Sequence, residues 1–579
     1  MQQRNIGIQE YAALPKGHNE VLTAANRLLL QAWRGFCIKK KLFSVFITFI
    51  FLSPAFSQEA LLSETERYYD FLALQGLTER SYLNFRTLSD SVWELDEDAA
   101  HPWQGHNLGI RRNLFGDVTM RIYGPELFTS VNTAAPYGQN DGALWQGRGF
   151  NAAFTAGVRF EGYGVEATFK PQVSFSQNAG FAIMDSPYDS KYGYFWSYGG
   201  NAGVDAPQRF GDKPFFTFDW GDSEIRYSWK TLTIGFGTQS IWLGPAYLNP
   251  ILHSNNAPTY PRLDMGLRKQ PVTIPGLDWY MGDVEFRIWT GYLSESDYFD
   301  NDDTNDHTMF HGLSLAYAPS FLPGLTLSAN RVCLVAWEWE NMKYIVPLAK
   351  NRDEDQKASF SLSWIFPRAG LEIYGEIGID DFVGGGFWGY IRYPFHTMVY
   401  TTGFKKTIDF ISIGERKVFG VIALEWHDAE MSQDFQYMWP YTFYFHHKII
   451  HGYTNRGQFI GNGNGAGGNS QHLEFSLYYP EGSFSIFINR NNPDNNFFYR
   501  EMIEQKATDT SFGARYFWSW KANLVIGANT EYFLSESLKI GGGVVYNLIL
   551  NPLFYYKDNI GKDEYLHNFS FQLSVKYEL

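Results

Sequence analysis

Three histidines, His446, His447 and His451, invite a metal reading. On an extended strand His447 and His451 share a face two pleats apart, about 13 Å, too far for one ion. They are read as interfacial or lumenal histidines. The aspartates Asp297, Asp300, Asp302, Asp303 and Asp306 form an acidic run that lacks the glycine and terminal glutamate of a calcium loop, and are read as a solvated external loop. Gly463-x-Gly465-x-x-Gly468 has the spacing of a dinucleotide fingerprint but sits in a Gly/Asn-rich stretch with no βαβ unit around it. No Gly-x-Ser-x-Gly elbow occurs, and nothing in the sequence pairs the carboxylates and histidines as acid and base. The expectation is a chain without catalytic residues, metal or cofactor.

Another set of residues suits carbohydrate. A sugar presents a C–H face that stacks on aromatic rings and hydroxyls that pair with amides and charges. Trp145, Arg148, Trp242, Asn255, Asn256, Tyr453 and Arg456 are the right types for this. They fall in dense segments: Asn140-Asp141-Gly142-Ala143-Leu144-Trp145-Gln146-Gly147-Arg148-Gly149, Trp242-Leu243-Gly244-Pro245, Ser254-Asn255-Asn256-Ala257-Pro258 and Gly452-Tyr453-Thr454-Asn455-Arg456-Gly457-Gln458. The same types also make turns and pin inward-folded loops by hydrogen bonds. Both readings stand at this level.

The elements that position these segments follow from period and composition. The chain has 579 residues, 18% aromatic and 19% charged, with mean hydropathy -0.28 and formal charge -14. That acidity argues against nucleic acid, which needs clustered positive charge. Lys39, Lys40 and Lys41 precede the apolar run Leu42–Leu52 and the cleavage-like Ala55-Phe56-Ser57, which reads as a secretory signal peptide. Residues 1–57 are read as that peptide behind a spurious extension, with the true start near Ile38. Cys333 is then the mature chain's one thiol, a small apolar packing residue. No other apolar run approaches the length of a membrane helix, but a closed barrel crosses a membrane without one.

Residues 58–116 read as a helical segment ahead of the strands. Ser63-x-x-Glu66 is a capping box, Gly76 a stop, and Thr78–Leu88 and Asp90–Leu95 are two further short helices. Over 117–579 the period is two. Val165, Ala167, Phe169, Val173 and Phe175 alternate with polar residues, as do Ala358, Phe360, Leu362 and Trp364, and Phe569, Phe571, Leu573, Val575 and Tyr577 at the C-terminus. Short turns at 162–164, 367–370, 480–482 and Trp520-Lys521 alternate with long polar stretches at 176–222, 240–282, 336–355, 380–395, 428–442 and 491–509. That alternation is the layout of an outer-membrane barrel, with short periplasmic turns, long external loops and aromatic girdles.

Taken with Tyr123-Gly124-Pro125-Glu126 and Glu372-Ile373-Tyr374-Gly375-Glu376, the dense segments resemble, in order and spacing, the Wzi family of outer-membrane capsule-assembly proteins over roughly residues 60–579. The departure is at Asn455, where that family more often has His. The resemblance implies an all-β transmembrane barrel over 117–579, antiparallel and of about 18 strands, with a small N-terminal α-helical bundle over 58–116 as its periplasmic plug. It implies a lectin-like, non-enzymatic protein that holds capsular or other exported polysaccharide at the cell surface. The expected partners are that polysaccharide and outer-membrane lipid, with the protein a monomer, and loops 183–212 and 428–442 reading the particular glycan. The alternative is an outer-membrane channel for solute diffusion or uptake, since a barrel this wide encloses a lumen if loops do not fill it.

Overall fold

The computed structural model describes residues 63–95, 100–109, 111–197, 202–346, 354–380, 387–413, 416–432, 442–506, 520–554 and 565–578. The leader reading of residues 1–57 lies outside these. Between Val118 and Tyr577 the chain closes into an antiparallel barrel of 18 strands. β1 (Val118–Asn132) and β2 (Gly149–Gly162) open it. β3 runs in two pieces, Val165–Phe169 and Gln172–Ser176, because Pro171 between them has no N–H for the ladder. β4 is also split, Phe215–Asp219 and Glu224–Trp229. There follow β5 (Leu232–Gly237), β6 (Arg262–Ile274), β7 (Trp279–Ser294), β8 (His307–Pro319), β9 (Leu325–Ala336), β10 (Asp355–Phe366) and β11 (Leu371–Asp380). The last seven are β12 (Met398–Ile413), β13 (Arg416–Asp428), β14 (Asn469–Tyr479), β15 (Gly482–Asn492), β16 (Ala522–Phe533), β17 (Leu538–Leu550) and β18 (Tyr565–Tyr577). β18 pairs with β1 from Ser570↔Asn132 to Lys576↔Glu126, so no edge is left open.

The period-two pattern sorts side chains as a membrane barrel requires. On β3 Glu166 and Thr168 point inward and are buried, while Val165 and Phe169 face outward. On β10 Lys357, Ser359, Ser361 and Ser363 face the lumen and Phe360 and Leu362 face out. Tyr163, Trp229, Trp279 and Phe321 are exposed near the short-turn end, and Phe216, Trp337, Trp339 and Tyr565 near the other, which gives the two aromatic girdles. Connections are short at one end and long at the other. One of the two-residue turns, Tyr163-Gly164, carries φ of 53° and 80°, the primed turn that matches strand twist. In β1 the segment Tyr123-Gly124-Pro125-Glu126 marks a register shift against β2, where the proline again withholds a donor.

Three sequence readings are corrected. Trp520-Lys521 is not a hairpin turn: it ends the long connection from β15 to β16. The stretch 240–282 is not all irregular, since β6 lies within it. Thr78–Leu88 and Asp90–Leu95 are not helices, and a helical bundle is not clearly formed among the described residues. Ahead of the barrel the described residues hold one helix, α1 (Glu64–Leu74), capped by Ser63 and stopped at Gly76, whose φ is 73°. Within residues 78–95, the backbone groups around Leu83–Ser89 are instead taken by the barrel. Glu285 of β7 takes the N–H groups of Leu83, Asn84 and Phe85 at 2.7–3.0 Å, and Phe85–Arg86 pairs with Trp242–Leu243. Strong acceptors from the wall displace intrahelical bonds that a short helix holds weakly.

Residues 63–95 and 100–109 are bound at the short-turn end. The Trp103 indole donates to the Gly482 carbonyl, and Asn107 Nδ2 to that of Glu578. Tyr68 stacks on Trp103 with centroids 4.0 Å apart, amid Phe419, Tyr478 and Phe533. Charges are paired across this junction. Arg80 bridges Asp70 and Glu372, Lys405 contacts the same two carboxylates, and Asp90 sits between Arg268 and Arg287. In a confined lumen an ion without its partner costs several kcal/mol, on the order of the 3–5 kcal/mol lost when a buried pair is broken.

Candidate functional site

At the long-loop end the connections fold inward and interlock. Three of the dense sequence segments meet there. The Gly142 N–H donates to the Asn255 carbonyl at 2.8 Å, and the Asn140 N–H to Asn256 Oδ1. Asn256 Nδ2 donates to the Phe459 carbonyl, Ser254 N–H to that of Ile460, and Gln458 Nε2 to that of Gly142. The Tyr444 and Tyr453 hydroxyls donate to the carbonyls of Ile251 and Leu252 at 2.6 and 2.8 Å. The polypeptide crosses itself closely at Gly461, where any Cβ would strike the Tyr444 hydroxyl and the Ile251 carbonyl. Behind these bonds lies an apolar cluster inside the barrel that includes Trp196, Ile241, Leu243, Ile251, Trp289, Phe310 and Tyr453. Wide barrels usually hold water at this depth; here inward loops supply a hydrophobic core.

Against the β16–β18 side of this assembly is a cavity of about 690 Å³. Its walls carry Trp145, Arg148, Phe181, Tyr194, Phe195, Asn256, Phe459 and Phe554, with Asp494 and Lys521. Trp145 meets the Phe210 ring edge-on at 5.2 Å, and Tyr194 stacks on Phe195 at 4.4 Å. Asp494 accepts from the Tyr194 hydroxyl at 2.8 Å, the Trp196 indole at 2.7 Å and the Phe497 N–H at 3.1 Å. Burial still pushes its carboxyl up to about 6. The combination of ring faces, amides and a few charges in a concave space is what saccharide recognition requires.

The seven residues singled out from sequence separate into two groups. Trp145, Arg148 and Asn256 line the cavity together. The Arg148 guanidinium is steered there by the carbonyls of Thr133 and Gly180. Trp242, Asn255 and Tyr453 are instead buried in the packed interior, at 2%, 1% and 0% exposure, with the Trp242 indole donating to the Ala246 carbonyl. Arg456 is exposed outside the cavity, at a backbone φ of 48°. Asn455, the departure from the resembled family, is a pin: it donates to the Pro258 carbonyl and accepts from the Ser294 N–H. Of the loops expected to read a glycan, 183–212 reaches the cavity through Tyr194 and Phe195, while 433–441 lies outside the described residues.

The histidine geometry differs from its strand reading, because His446, His447 and His451 lie on an irregular loop. His446 Nδ1 accepts from the Ile449 N–H, and His451 Nδ1 bonds the Thr308 hydroxyl at 3.0 Å. Burial pushes His451 down to about 4. Gly463 and Gly465 serve the cavity wall. Sequence reasoning missed Asp494, Lys521 and Phe554. Asp494 and Lys521 stand at opposite ends of the long β15–β16 connection and Phe554 on the β17–β18 connection, and no local spacing announces that they meet.

The family model described as "Capsule assembly protein Wzi" matches residues 121–533. No curated protein sequence matches this chain. Among solved structures, it superposes with TM-score 0.51 on the Escherichia coli protein described as Wzi, an outer-membrane protein involved in group 1 capsule assembly and a carbohydrate-binding β-barrel. The two are 13% identical, over 78% of this chain and 84% of that one. OprD from Pseudomonas aeruginosa matches with TM-score 0.38 and 9% identity over 82% and 96%. OccAB2 from Acinetobacter baumannii gives 0.36 and 10% over 79% and 98%.

Proposed function

Since the chain belongs to the capsule assembly protein Wzi family and folds as an outer-membrane barrel, we propose that it binds exported polysaccharide at the cell surface and holds it there without chemical turnover. The observation that carries this reading is the cavity of about 690 Å³ at the long-loop end, where Trp145, Arg148 and Asn256 converge. In an outer-membrane barrel that end faces the exterior and the short turns face the periplasm, so residues 63–95 and 100–109 close the periplasmic mouth. A saccharide unit enters from outside, lays its C–H face on the rings and hydrogen-bonds to the amide and charged groups. Binding of one unit is weak; a polymer that engages many copies on one cell is held by multivalency. The protein acts as a monomer in outer-membrane lipid, and its interlocked loops argue against use of the lumen as an open channel.

The test is the distribution of polymer in a deletion strain. Cell-bound and supernatant polysaccharide are measured beside the complemented strain, with reducing ends counted to detect cleavage. Polymer made in normal amount and chain length but shed into the medium is the expected result. An unchanged distribution overturns the attachment reading, and new reducing ends that depend on the protein overturn the absence of turnover.

A further inference from the structure

The lumen of this barrel pairs its lysines. Lys170 contacts Asp222 at 2.8 Å, Lys357 lies between Asp355 and Asp380, Lys405 between Asp70 and Glu372, and Lys539 contacts Glu531 at 2.9 Å. Lys521 breaks the pattern. It lines the cavity, half-buried, with its ammonium 5.3 Å from the centre of the Phe554 ring, and forms no ion pair or side-chain hydrogen bond with any described residue. The nearest cavity carboxylate, Asp494, is already engaged by Tyr194, Trp196 and the Phe497 N–H. Burial pulls Lys521 down to about 8. Asp494 offsets this only in part, and an ammonium with no direct ion pair among the described residues costs free energy that an anionic ligand recovers.

Resting on the saccharide reading above, we propose that the cavity is selective for an acidic sugar unit, whose carboxylate pairs with Lys521 while its ring lies on the cavity's aromatic faces. Arg148 adds positive charge to the same wall. The lining thus sets two cations, Lys521 and Arg148, against one carboxylate, Asp494, whose oxygen is taken up by the Tyr194 and Trp196 donors. The result is a positive spot on a chain whose formal charge is -14, and it favours a single acidic substituent over a neutral ring.

The experiment uses the full chain in detergent micelles and oligosaccharides hydrolysed from the producing strain's own exported polymer. These are titrated calorimetrically in native form and after chemical reduction of their carboxyl groups to alcohols. The native form is expected to bind about tenfold or more tightly than the reduced form, as a charge-assisted contact supplies. Lys521→Met is expected to erase that preference while leaving the reduced oligosaccharides bound as before, and Lys521→Arg to keep most of it. Equal affinity for the two forms, or a preference that survives Lys521→Met, overturns the acidic-sugar assignment and leaves saccharide binding intact. Absence of binding by either form overturns saccharide binding at this cavity and the assignment with it. A loss of all binding in Lys521→Met accompanied by an altered circular-dichroism spectrum is resolved by Lys521→Arg, whose retained preference supports the proposal and whose lost preference sinks it.

Discussion

The carboxylate of Glu425, on the inner face of β13, accepts the backbone N–H of Asn249 at 2.8 Å. It also takes the N–H groups of Tyr247 and Leu248, the Asn249 side chain and the Tyr374 hydroxyl. Glu285 holds residues 83–85 in the same manner. One lumenal glutamate thus fastens a loop from the long-loop side, and another fastens the chain that enters from the short-turn side. Consecutive N–H groups converging on one anion make a local positive pole, which is why a carboxylate tolerates this depth.

Replacement of Glu425 by alanine strands those N–H groups in the interior. The expected cost is about 3–5 kcal/mol, seen as a lower unfolding midpoint in detergent and as new protease cuts within residues 238–261. Glu425→Gln keeps one carbonyl oxygen and is expected to fall between alanine and wild type. A protease pattern for Glu425→Ala that matches wild type removes the pinning role.

Residues 134–141 are a thin partition. Ala134, Ala135, Pro136 and Gly138 face the cavity of about 690 Å³, whereas Gln139, Asn140 and Asp141 face a second of about 290 Å³ that reaches Ser63, Arg67 and Glu531 on the short-turn side. Wild-type protein in planar bilayers is expected to be nearly silent. Replacing residues 136–141 by a shorter Gly-Ser link is expected to open discrete, ion-conducting steps. Steady porin-like conductance from the wild type contradicts the filled-lumen account and restores the channel alternative.

The same partition is expected to respond to pH. Burial pushes Asp141 up from an ordinary 3.8 to about 7, against a hydrogen bond from Gln146 that lowers it. A carboxyl with a raised folded value keeps its proton where the released loop has lost it. Its contribution is fully present below about pH 4 and is lost as pH rises through about 7. Protease access to residues 133–148 is therefore expected to rise between pH 5 and 8. Asp205, also raised to about 7, titrates in the same window, so the readout is the difference between wild type and Asp141→Asn, in which this component is flat. Identical pH profiles for the two proteins exclude Asp141 as its source.

Much of this architecture is legible in the sequence because a membrane barrel imposes period two on every strand. The alternation at Ala358–Trp364 and Phe569–Tyr577 places apolar rings on lipid and polar groups in the lumen, as the exposures of Phe360 and Leu573 show. Loop interiors obey no such period. Trp520-Lys521 has turn-like brevity yet ends a long connection, and 78–95 has helical spacing yet unwinds, because Glu285 and the strand pairing at Phe85–Arg86 are tertiary partners invisible locally. The candidate residues divide on the same ground. Trp145 and Trp242 are alike in type and in glycine-rich surroundings. Only the folded loops reveal that one faces a cavity and the other is 2% exposed.

That division yields the sharpest mutational contrast. Trp145→Ala removes a ring that meets Phe210 edge-on, has the Phe181 and Phe215 rings within 6.5 Å, and presents its remaining surface to the cavity. It is expected to weaken oligosaccharide binding by about tenfold, the scale of about 1–2 kcal/mol for one stacking face, with little change in unfolding midpoint. Trp242→Ala and Tyr453→Ala empty packed volume under the interlocked loops. They are expected to cost about 3–5 kcal/mol of stability, with binding lost only as a consequence. Tyr453→Phe isolates the hydroxyl that holds Leu252 and is expected to cost about 1–2 kcal/mol while leaving affinity unchanged in the protein that remains folded. The measurement is calorimetric affinity beside thermal unfolding for all four variants. If Trp145→Ala lowers the unfolding midpoint as much as Trp242→Ala, the residue is scaffolding like its counterpart, and the glycan surface must be sought elsewhere on the cavity wall.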